Sequence, residues 1–329
     1  MADVARVAGV SAQTVSRVAN GHPGVVEATR TRVLGAMAEL GYRPNSAARA
    51  LKSGTFRTIG VILFSLATTG NVRTLEAIAT SAAAEGYAIT VIPVAAPTQD
   101  GVHGAFTRLG ELAVDAIILL MEVHLLDVAQ ISLPPAVQVV VADSDAGERY
   151  AVVDTDQADG TRQAVRHLLE LGHQTVHHLA GPAASFAAER RADAWRSTLE
   201  EAGRAVPPIE RGDWSPSSGY AAGRRLAERD DVTAVFVAND QMALGLVRAL
   251  HDAGRRVPQD VSVVGFDDLP ESSEFLPPLT TVHQDFAEVG RRCVEQVLRQ
   301  VREGVHETGT RLVPTWLVPR SSTAPPPRR

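Results

Sequence analysis

The chain has 329 residues, 45% hydrophobic and 21% charged, which is enough apolar material for ordinary cores and a length that suggests about two domains. No window approaches the roughly 20 uninterrupted apolar residues of a bilayer span, and the opening Met1-Ala2-Asp3-Val4 is not a basic-then-apolar signal, so the sequence reads as cytoplasmic, with no membrane partner. Cys293 is the single cysteine, which excludes an internal disulfide and a thiolate-clustered zinc site.

The net charge of -6 is unevenly placed. Residues 1–57 hold eight Arg or Lys against Asp3, Glu27 and Glu39, a balance of +5, which leaves -11 for the remainder. A small basic head on a larger acidic body suggests a head that meets phosphate and a body with another task.

In the head, Val4, Val7 and Ala8 recur at helical spacing, Gly9 can take a positive φ, and Ser11 can cap a second helix that carries Val15 and Val18 inward. A third helical pattern runs from about Glu27 to Leu40 with Val33, Leu34, Met37 and Leu40 as its stripe, Gly41 as its stop and Pro44 beyond. The expected product is a compact, all-α three-helix unit. After Pro44, Asn45 can cap a very short fourth helix through Ala47, Ala48 and Leu51, closed by Gly54. Such a helix is unstable alone in water.

From Thr58 the pattern changes to apolar runs of strand length alternating with amphipathic segments. Strands are expected near 58–65, 88–94, 115–120, 136–142, 175–180, 232–238 and 261–266. Alternating β and α elements predict parallel sheets with helices on both faces, and about 260 residues of it predict two doubly wound lobes. The tail from Ser321, with Pro325, Pro326 and Pro327, is expected to be disordered.

With Val15 and Val18 turned in, the second helix of the head leaves Ala12, Gln13, Ser16, Arg17 and Asn20 on its outward face. Gln suits adenine, Arg suits guanine, and Ser11, Thr14 and Asn20 offer short polar heads to phosphates. Helix pairs with a glycine turn are common, however, and exposed Gln and Arg are equally readable as solvated residues.

The motif QTVSRV after AGVS, followed by PNSAARALKSG, resembles the head and hinge of the lactose-repressor/galactose-repressor family of bacterial transcription regulators. The resemblance implies a helix-turn-helix head over 1–44 whose positions Ala12, Gln13 and Arg17 read an operator. It also implies a hinge over 45–57, with Asn45 and Ala48 at the DNA and Leu51 wedged into the minor groove. The chain begins a few residues short of the family's usual first helix, which implies an upstream start or a frayed first turn. Ala12 replaces a tyrosine found in lactose-responsive members, so a different half-site is expected.

Parallel lobes bind ligands at the carboxyl ends of their strands. Three polar residues end apolar runs: Asp143 after VQVVVA, Asn239 after VTAVFVA, and Asp267 after VSVVGF. Each is also a plausible cap for the helix that follows, and for Asn239 the two roles are compatible. Trp214 in GDWS offers a flat face to a sugar ring.

The segments AGPAAS, RADAW, GDWSPSSGY, VANDQMALG, DVSVVGFDD and PPLTTVHQDF extend the resemblance over nearly the whole chain, most closely to the lactose-responsive branch. It implies a periplasmic-binding-protein-like body over 58–320, with an N-lobe of about 58–155 and 286–313 and a C-lobe of about 156–285, and 321–329 left as the tail. It implies effector contacts at Asp143, Arg191, Trp214, Asn239, Asp267, Gln284 and Phe286. Ala187 and Ala194 stand where that branch has serine and glycine, so one hydrogen bond to the sugar is missing.

The expected function is a transcriptional repressor that binds double-stranded operator DNA as a homodimer and lets go when a small sugar, foremost a galactoside, enters the body. Dimers are expected because APPPRR ends the chain where a tetramerising helix would need heptads. The alternatives within the family are another sugar, or a purine-like corepressor that tightens DNA binding. A transporter's solute-binding protein shares the two-lobed architecture but carries no basic head. Catalysis finds no nucleophile elbow, P-loop or dinucleotide fingerprint, so neither an enzyme nor a cofactor is expected. His167, His173, His177 and His178 are close in sequence, yet His177 and His178 are neighbours in an expected strand and must face opposite ways, which argues against a metal site.

Overall fold

The computed structural model describes residues 1–42, 54–64, 66, 68–94, 104–108, 111, 114–120, 137–144 and 149–327. They divide into two compact units, Met1–Arg57 and Thr58–Arg329. The expected hinge residues Asn45, Ala48 and Leu51 lie outside the described residues.

Among the described residues, the first unit has three helices, α1 (Ala2–Ala8), α2 (Ala12–Ala19) and α3 (Glu27–Glu39). Gly9 closes α1 at φ 66, a left-handed conformation that costs glycine little, and the chain turns at once into α2. Ser11 caps α2 by accepting the Thr14 N–H at 3.1 Å. Val4, Ala5, Ala8, Val15, Val18, Val33, Ala36 and Met37 form the core. The sequence reading put Val7, Leu34 and Leu40 there as well, but all three are exposed. Val7 and Leu34 sit about 100° around their helices from the buried stripes, and Leu40 lies past the end of α3. Alanines fill the core positions instead, which lets these short helices approach closely.

The second unit holds two six-stranded sheets. The first contains β1 (Thr58–Leu63), β2 (Ala88–Pro93), β3 (Ala116–Leu120), β4 (Gln138–Ala142), β5 (Ala151–Thr155) and β11 (Gly309–Val313), in the order β11-β5-β4-β3-β1-β2. All of its pairings are parallel. The second contains β6 (His177–Ala180), β7 (Glu210–Arg211), β8 (Ala234–Val237), β9 (Ser262–Asp267), β10 (Thr280–Gln284) and β12 (Thr315–Val318), in the order β12-β10-β9-β8-β6-β7. Only β12 runs antiparallel to its neighbour. Around them lie α4 (Thr69–Ala84), α5 (Gln157–Glu170), α6 (Phe186–Glu201), α7 (Pro216–Ala227), α8 (Asp240–Asp252) and α9 (Phe286–Glu303). Each sheet has an apolar cluster on both faces, which is why its strands read as apolar runs rather than alternating ones. Close helix packing also shapes the second sheet's outer layer. A Cβ at Gly245 of α8 would fall 1.9 Å from the Pro216 carbonyl oxygen of α7, so this crossing requires glycine.

The chain passes between the sheets three times, after β5, after β10 and, through Pro314, after β11. The expected strands are present, and the sequence reading omitted β5, β7, β10, β11 and β12. These are two to five residues long and polar or edge-placed, as in AVVDT and TTVHQ, so no apolar run marks them.

The expectation of a disordered tail is wrong for residues 321–327. Ser322 is buried, and its hydroxyl donates to the Val263 carbonyl at 2.6 Å and accepts the Thr280 N–H at 2.8 Å. The Ala324 N–H donates to Ser262 Oγ at 3.0 Å. The prolines carry no amide to satisfy, so the segment lies along the second sheet using only the few polar groups it has.

His178 is buried in the second sheet's core, stacked on Phe236 at 4.8 Å between ring centres, with Nδ1 3.0 Å from the Phe236 carbonyl oxygen. Burial pushes its imidazole down to about 3. The folded ring therefore stays neutral while the unfolded ring protonates near pH 6.5, so its contribution to stability falls as the pH drops below about 6.5. Replacing His178 with Phe removes this loss. Urea unfolding should show the wild type losing about 2 kcal/mol relative to His178→Phe between pH 7 and pH 5, and parallel curves would refute the assignment.

Candidate functional site

On the head, α2 turns Val15 and Val18 into the core and leaves Ser11, Ala12, Gln13, Arg17 and Asn20 exposed, with Thr14 and Ser16 half-buried. Gln13 and Arg17 stand one turn apart on the outer face. The short polar residues are partly tied into the helix itself. The Ser11 and Thr14 hydroxyls lie 2.9 Å apart, and Asn20 donates from Nδ2 to the Ser16 carbonyl at 2.7 Å.

In the body, a cavity of about 300 Å3 gathers the seven residues expected to contact an effector. Strand ends place most of them. Asp143 follows β4, Asn239 follows β8, Asp267 ends β9, Gln284 ends β10, and Phe286 opens α9. Arg191 projects from α6, and Trp214 sits just before α7. Both sheets therefore deliver their carboxyl ends to one site.

A hydrogen-bonded relay organises the polar side. Gln157, at the start of α5, donates from Nε2 to Asp143 Oδ1 at 3.2 Å and to Gln284 Oε1 at 3.3 Å. Gln284 in turn donates to Asp267 Oδ1 at 2.6 Å. Arg191 donates from Nε to Gln157 Oε1 at 2.8 Å and from Nη1 to the Ala238 carbonyl, with Asp267 Oδ1 at 3.8 Å from Nη1. Its guanidinium carbon stands over the Phe266 ring, 3.8 Å from the centre. Asn239 caps a helix and also lines the cavity. Its Oδ1 caps α8 by accepting the Met242 N–H at 2.9 Å, and its Nδ2 donates to the Trp214 carbonyl at 3.1 Å while the residue lines the cavity.

The backbone is strained where the site is made. Asp143, Trp214 and Asp267 adopt φ of 53°, 74° and 116°, values rare for residues with a Cβ. Such conformations cost on the order of 1 to 3 kcal/mol each and persist only where surrounding contacts enforce them.

Burial also perturbs the charges. Desolvation pushes Asp267 up to about 6 and Asp240 up to about 7, although Arg191 opposes the shift at Asp267 and the Thr281 and Ser272 hydroxyls oppose it at Asp240. Asp143 is likewise raised by burial against the pull of Arg191. Arg191 itself is lowered by burial and supported by the carboxyl groups of Asp267, Asp143, Asp154 and Asp240.

The sequence reading missed Phe64, Thr68, Asn71, Pro182 and Ser185 in the lining, and Gln157 and Asp154 behind it. Phe64 and Pro182 follow β1 and β6 closely, so inspecting the end of every strand finds them. Among the described residues, Thr68 Oγ1 has no hydrogen-bond partner. Ala187 lines the cavity where a serine was expected to matter, and it offers no hydroxyl. Of the four histidines, His173 bridges the Thr233 hydroxyl and the Ala324 carbonyl, His167 meets the Thr323 hydroxyl, and His178 packs on Phe236. Among the described residues, no group of three His, Cys, Asp or Glu side chains is arranged to hold a metal. Among the same residues, no helix is long and apolar enough to cross a membrane.

Residues 1–45 match the family described as bacterial regulatory proteins, lacI family, and residues 165–323 match a periplasmic binding protein-like domain. The lactose operon repressor of Escherichia coli (strain K12) is 39% identical over 331 residues, covering 98% of this chain and 90% of its own. The chain belongs to the lacI family of bacterial regulatory proteins. The HTH-type transcriptional repressor PurR of Haemophilus influenzae (strain PittEE) is 31% identical, with 93% of each chain covered. Among solved structures, a Lac repressor dimer bound to operator and the anti-inducer ONPF superposes with a TM-score of 0.88 at 36% identity, over 98% of each chain. As a lacI-family member the chain is a DNA-binding repressor with a two-lobed, periplasmic-binding-protein-like body.

The Trp214 wall can be tested without a ligand. A Cβ at Gly181 would lie 2.5 Å from the Trp214 ring, so Gly181→Ala should displace the indole. The expected outcome is a shifted tryptophan emission with unchanged circular dichroism, and a stability loss of about 1 to 3 kcal/mol. Emission identical to that of the wild type would show that the ring does not rest on Gly181.

Proposed function

We propose that this repressor holds a pseudo-palindromic operator as a homodimer, reads it with Gln13 and Arg17 of α2 in each head, and releases it when a small sugar, foremost a galactoside, fills the cavity. The reading of the cavity is carried by one observation, the facing of a carboxylate and amide array (Asp143, Asn239, Asp267, Gln284) and the Arg191 fork by the aromatic walls Trp214 and Phe286. Vicinal hydroxyls donate to carboxylates and accept from a guanidinium, while the apolar face of a pyranose lies on an aromatic ring. A cavity of about 300 Å3 is at the lower bound of ordinary small-ligand sites.

For the head, Ala12 is assigned to the base edges with Gln13 and Arg17; Ser11, Thr14 and Asn20 to the phosphates; and Ser16 to the outward face beside them. Asn45, Ala48 and Leu51 are assigned to the hinge, with Leu51 as the minor-groove wedge. A single small head buries too little surface to be selective, and two half-sites need two heads. The relative solved on its operator is a dimer, which supports the same assembly here.

A thermal-shift screen over galactosides, glucosides and purines tests the effector, since a ligand of the folded body raises its melting temperature. A galactoside should give the largest shift, and Asp267→Ala should remove it. A purine shift with tighter operator binding would instead favour the corepressor reading, for which the PurR relative is the motive.

Operator reading is checked by anisotropy titrations on a selected promoter fragment and on random duplex. Gln13→Ala and Arg17→Ala should each reduce the preference for the fragment by about 1 to 3 kcal/mol. No fragment preferred over random duplex, with sugar or without, would overturn the proposal.

A further inference from the structure

We propose that Asp154, buried behind the cavity, is a positioning residue that fixes the Asp143 carboxylate by donating to it the single proton held by the pair. The role toward an effector rests on the sugar reading above; the shared proton does not.

The geometry comes from strand register. Parallel β4 and β5 set Ala142 opposite Val153, and the Asp143 N–H donates to the Val153 carbonyl at 3.2 Å. The next residues along, Asp143 and Asp154, therefore stand opposite one another across the pair, and the charge of Asp143 bears on Asp154. Two buried carboxyl groups brought together in this way can bond only when one is protonated, because an ionised carboxylate only accepts. Asp154 is 1% exposed, and its Oδ1 is buried without a partner. It does not line the cavity, whereas Asp143 does.

The charged groups around the pair decide which carboxyl keeps the proton. On α6, Arg191 draws on Asp143 and Arg190 draws on Asp154. On α5, Gln157 donates to Asp143 Oδ1, while Asp156 is turned to cap the helix at the Asp159 N–H, 2.9 Å away. On β11, Leu312 stands opposite Asp154, and the adjacent Arg311 is paired with Glu307 at 3.5 Å. Asp143 thus has the stronger support for its charge, while burial and the Asp143 charge push Asp154 up to about 8. At neutral pH Asp154 is the acid and donor, and Asp143 the anion and acceptor. One Asp143 oxygen is directed by Gln157 and the carboxylate is clamped from behind, which leaves lone pairs toward the cavity for a hydroxyl.

Above pH 8 the Asp154 proton passes to solvent and two like charges face each other behind the site. The clamp then becomes a repulsion. A ligand that needs the clamped Asp143 binds the protonated pair, so its affinity is retained below the Asp154 value and falls as the pH rises through it.

The test has a ligand-free arm and a binding arm, both on the full chain. Infrared difference spectra, wild type minus Asp154→Asn, cancel the contribution of Asp240 and should show a protonated carboxyl C=O band at pH 7 that disappears through about pH 8. Absence of that difference band at pH 7 overturns the proposal. In calorimetry with methyl β-D-galactoside, the wild-type association constant should fall about tenfold from pH 7 to pH 9. Asp154→Asn, which keeps an N–H donor and cannot ionise, should bind within about threefold of wild type at pH 7 with a flat profile. Asp154→Leu should bind more weakly at every pH, also with a flat profile. A pH dependence unchanged in Asp154→Asn overturns the positioning role. The band present with no galactoside bound at any pH refutes the galactoside reading and supports the shared proton.

Discussion

The body is organised around a buried cation. Arg191 is 4% exposed, and an unpaired guanidinium at that depth would cost more than the fold could supply. It is tolerated because Gln157 and the Ala238 carbonyl accept its N–H groups, the Phe266 ring lies beneath it, and Asp267 stands nearby. Through Gln157 the same cation is linked to Asp143 at the end of the first sheet, while Asp267 belongs to the second. Asp143 and Asp267 both take positive φ where their strands end, and both carboxylates belong to the hydrogen-bonded relay that includes Arg191.

What the sequence could reveal follows from how local each signal is. An apolar run that stops at Asp or Asn is visible in six or seven residues, and it marked Asp143, Asn239 and Asp267. Trp214 was marked by its flat face in GDWS, whereas Arg191, Gln284 and Phe286 occupy helices and a polar strand with no such signature, and only the family resemblance named them. Gln157 and Asp154 escaped both routes. β5 reads AVVDT, too short and too polar to stand out, and its partners β4 and β11 are set by pairing with segments distant in sequence. The tail misled for a related reason, because its composition suggests disorder while Ser322 and Ala324 are held by residues some sixty positions away. In the head, hydrophobicity alone put Val7 and Leu34 inside, and the close approach of alanine-faced helices kept them out.

The unequal charge of the two units gains a second meaning from the cavity. The acidic body repels a phosphate backbone and the basic head attracts it, which orients the proposed encounter with DNA. Part of the body's formal negative charge is nevertheless internal, on Asp143, Asp154, Asp240 and Asp267. Buried carboxyl groups this close cannot all ionise, and protons retained there lower the charge the body carries. Formal counting from the sequence therefore overstates the acidity of the body near neutral pH.

The cavity's placement bears on how a bound effector would signal. A ligand changes a conformational equilibrium only by the difference in its affinity for the two states. A molecule touching residues of one sheet alone would bind equally well however the lobes are spaced, and would report nothing. Here Phe64 and Asp143 come from the ends of first-sheet strands, and Trp214, Asn239 and Asp267 come from the second. A proposed sugar bonded to Asp143 on one side and Asp267 on the other therefore measures the gap between the lobes. Coupling of about 1 to 3 kcal/mol is typical of such arrangements, enough to change operator occupancy several-fold. Ala187 contributes no hydroxyl on the second-sheet side, so discrimination between lobe spacings falls more heavily on the two carboxylates, and on whatever holds Asp143 in place.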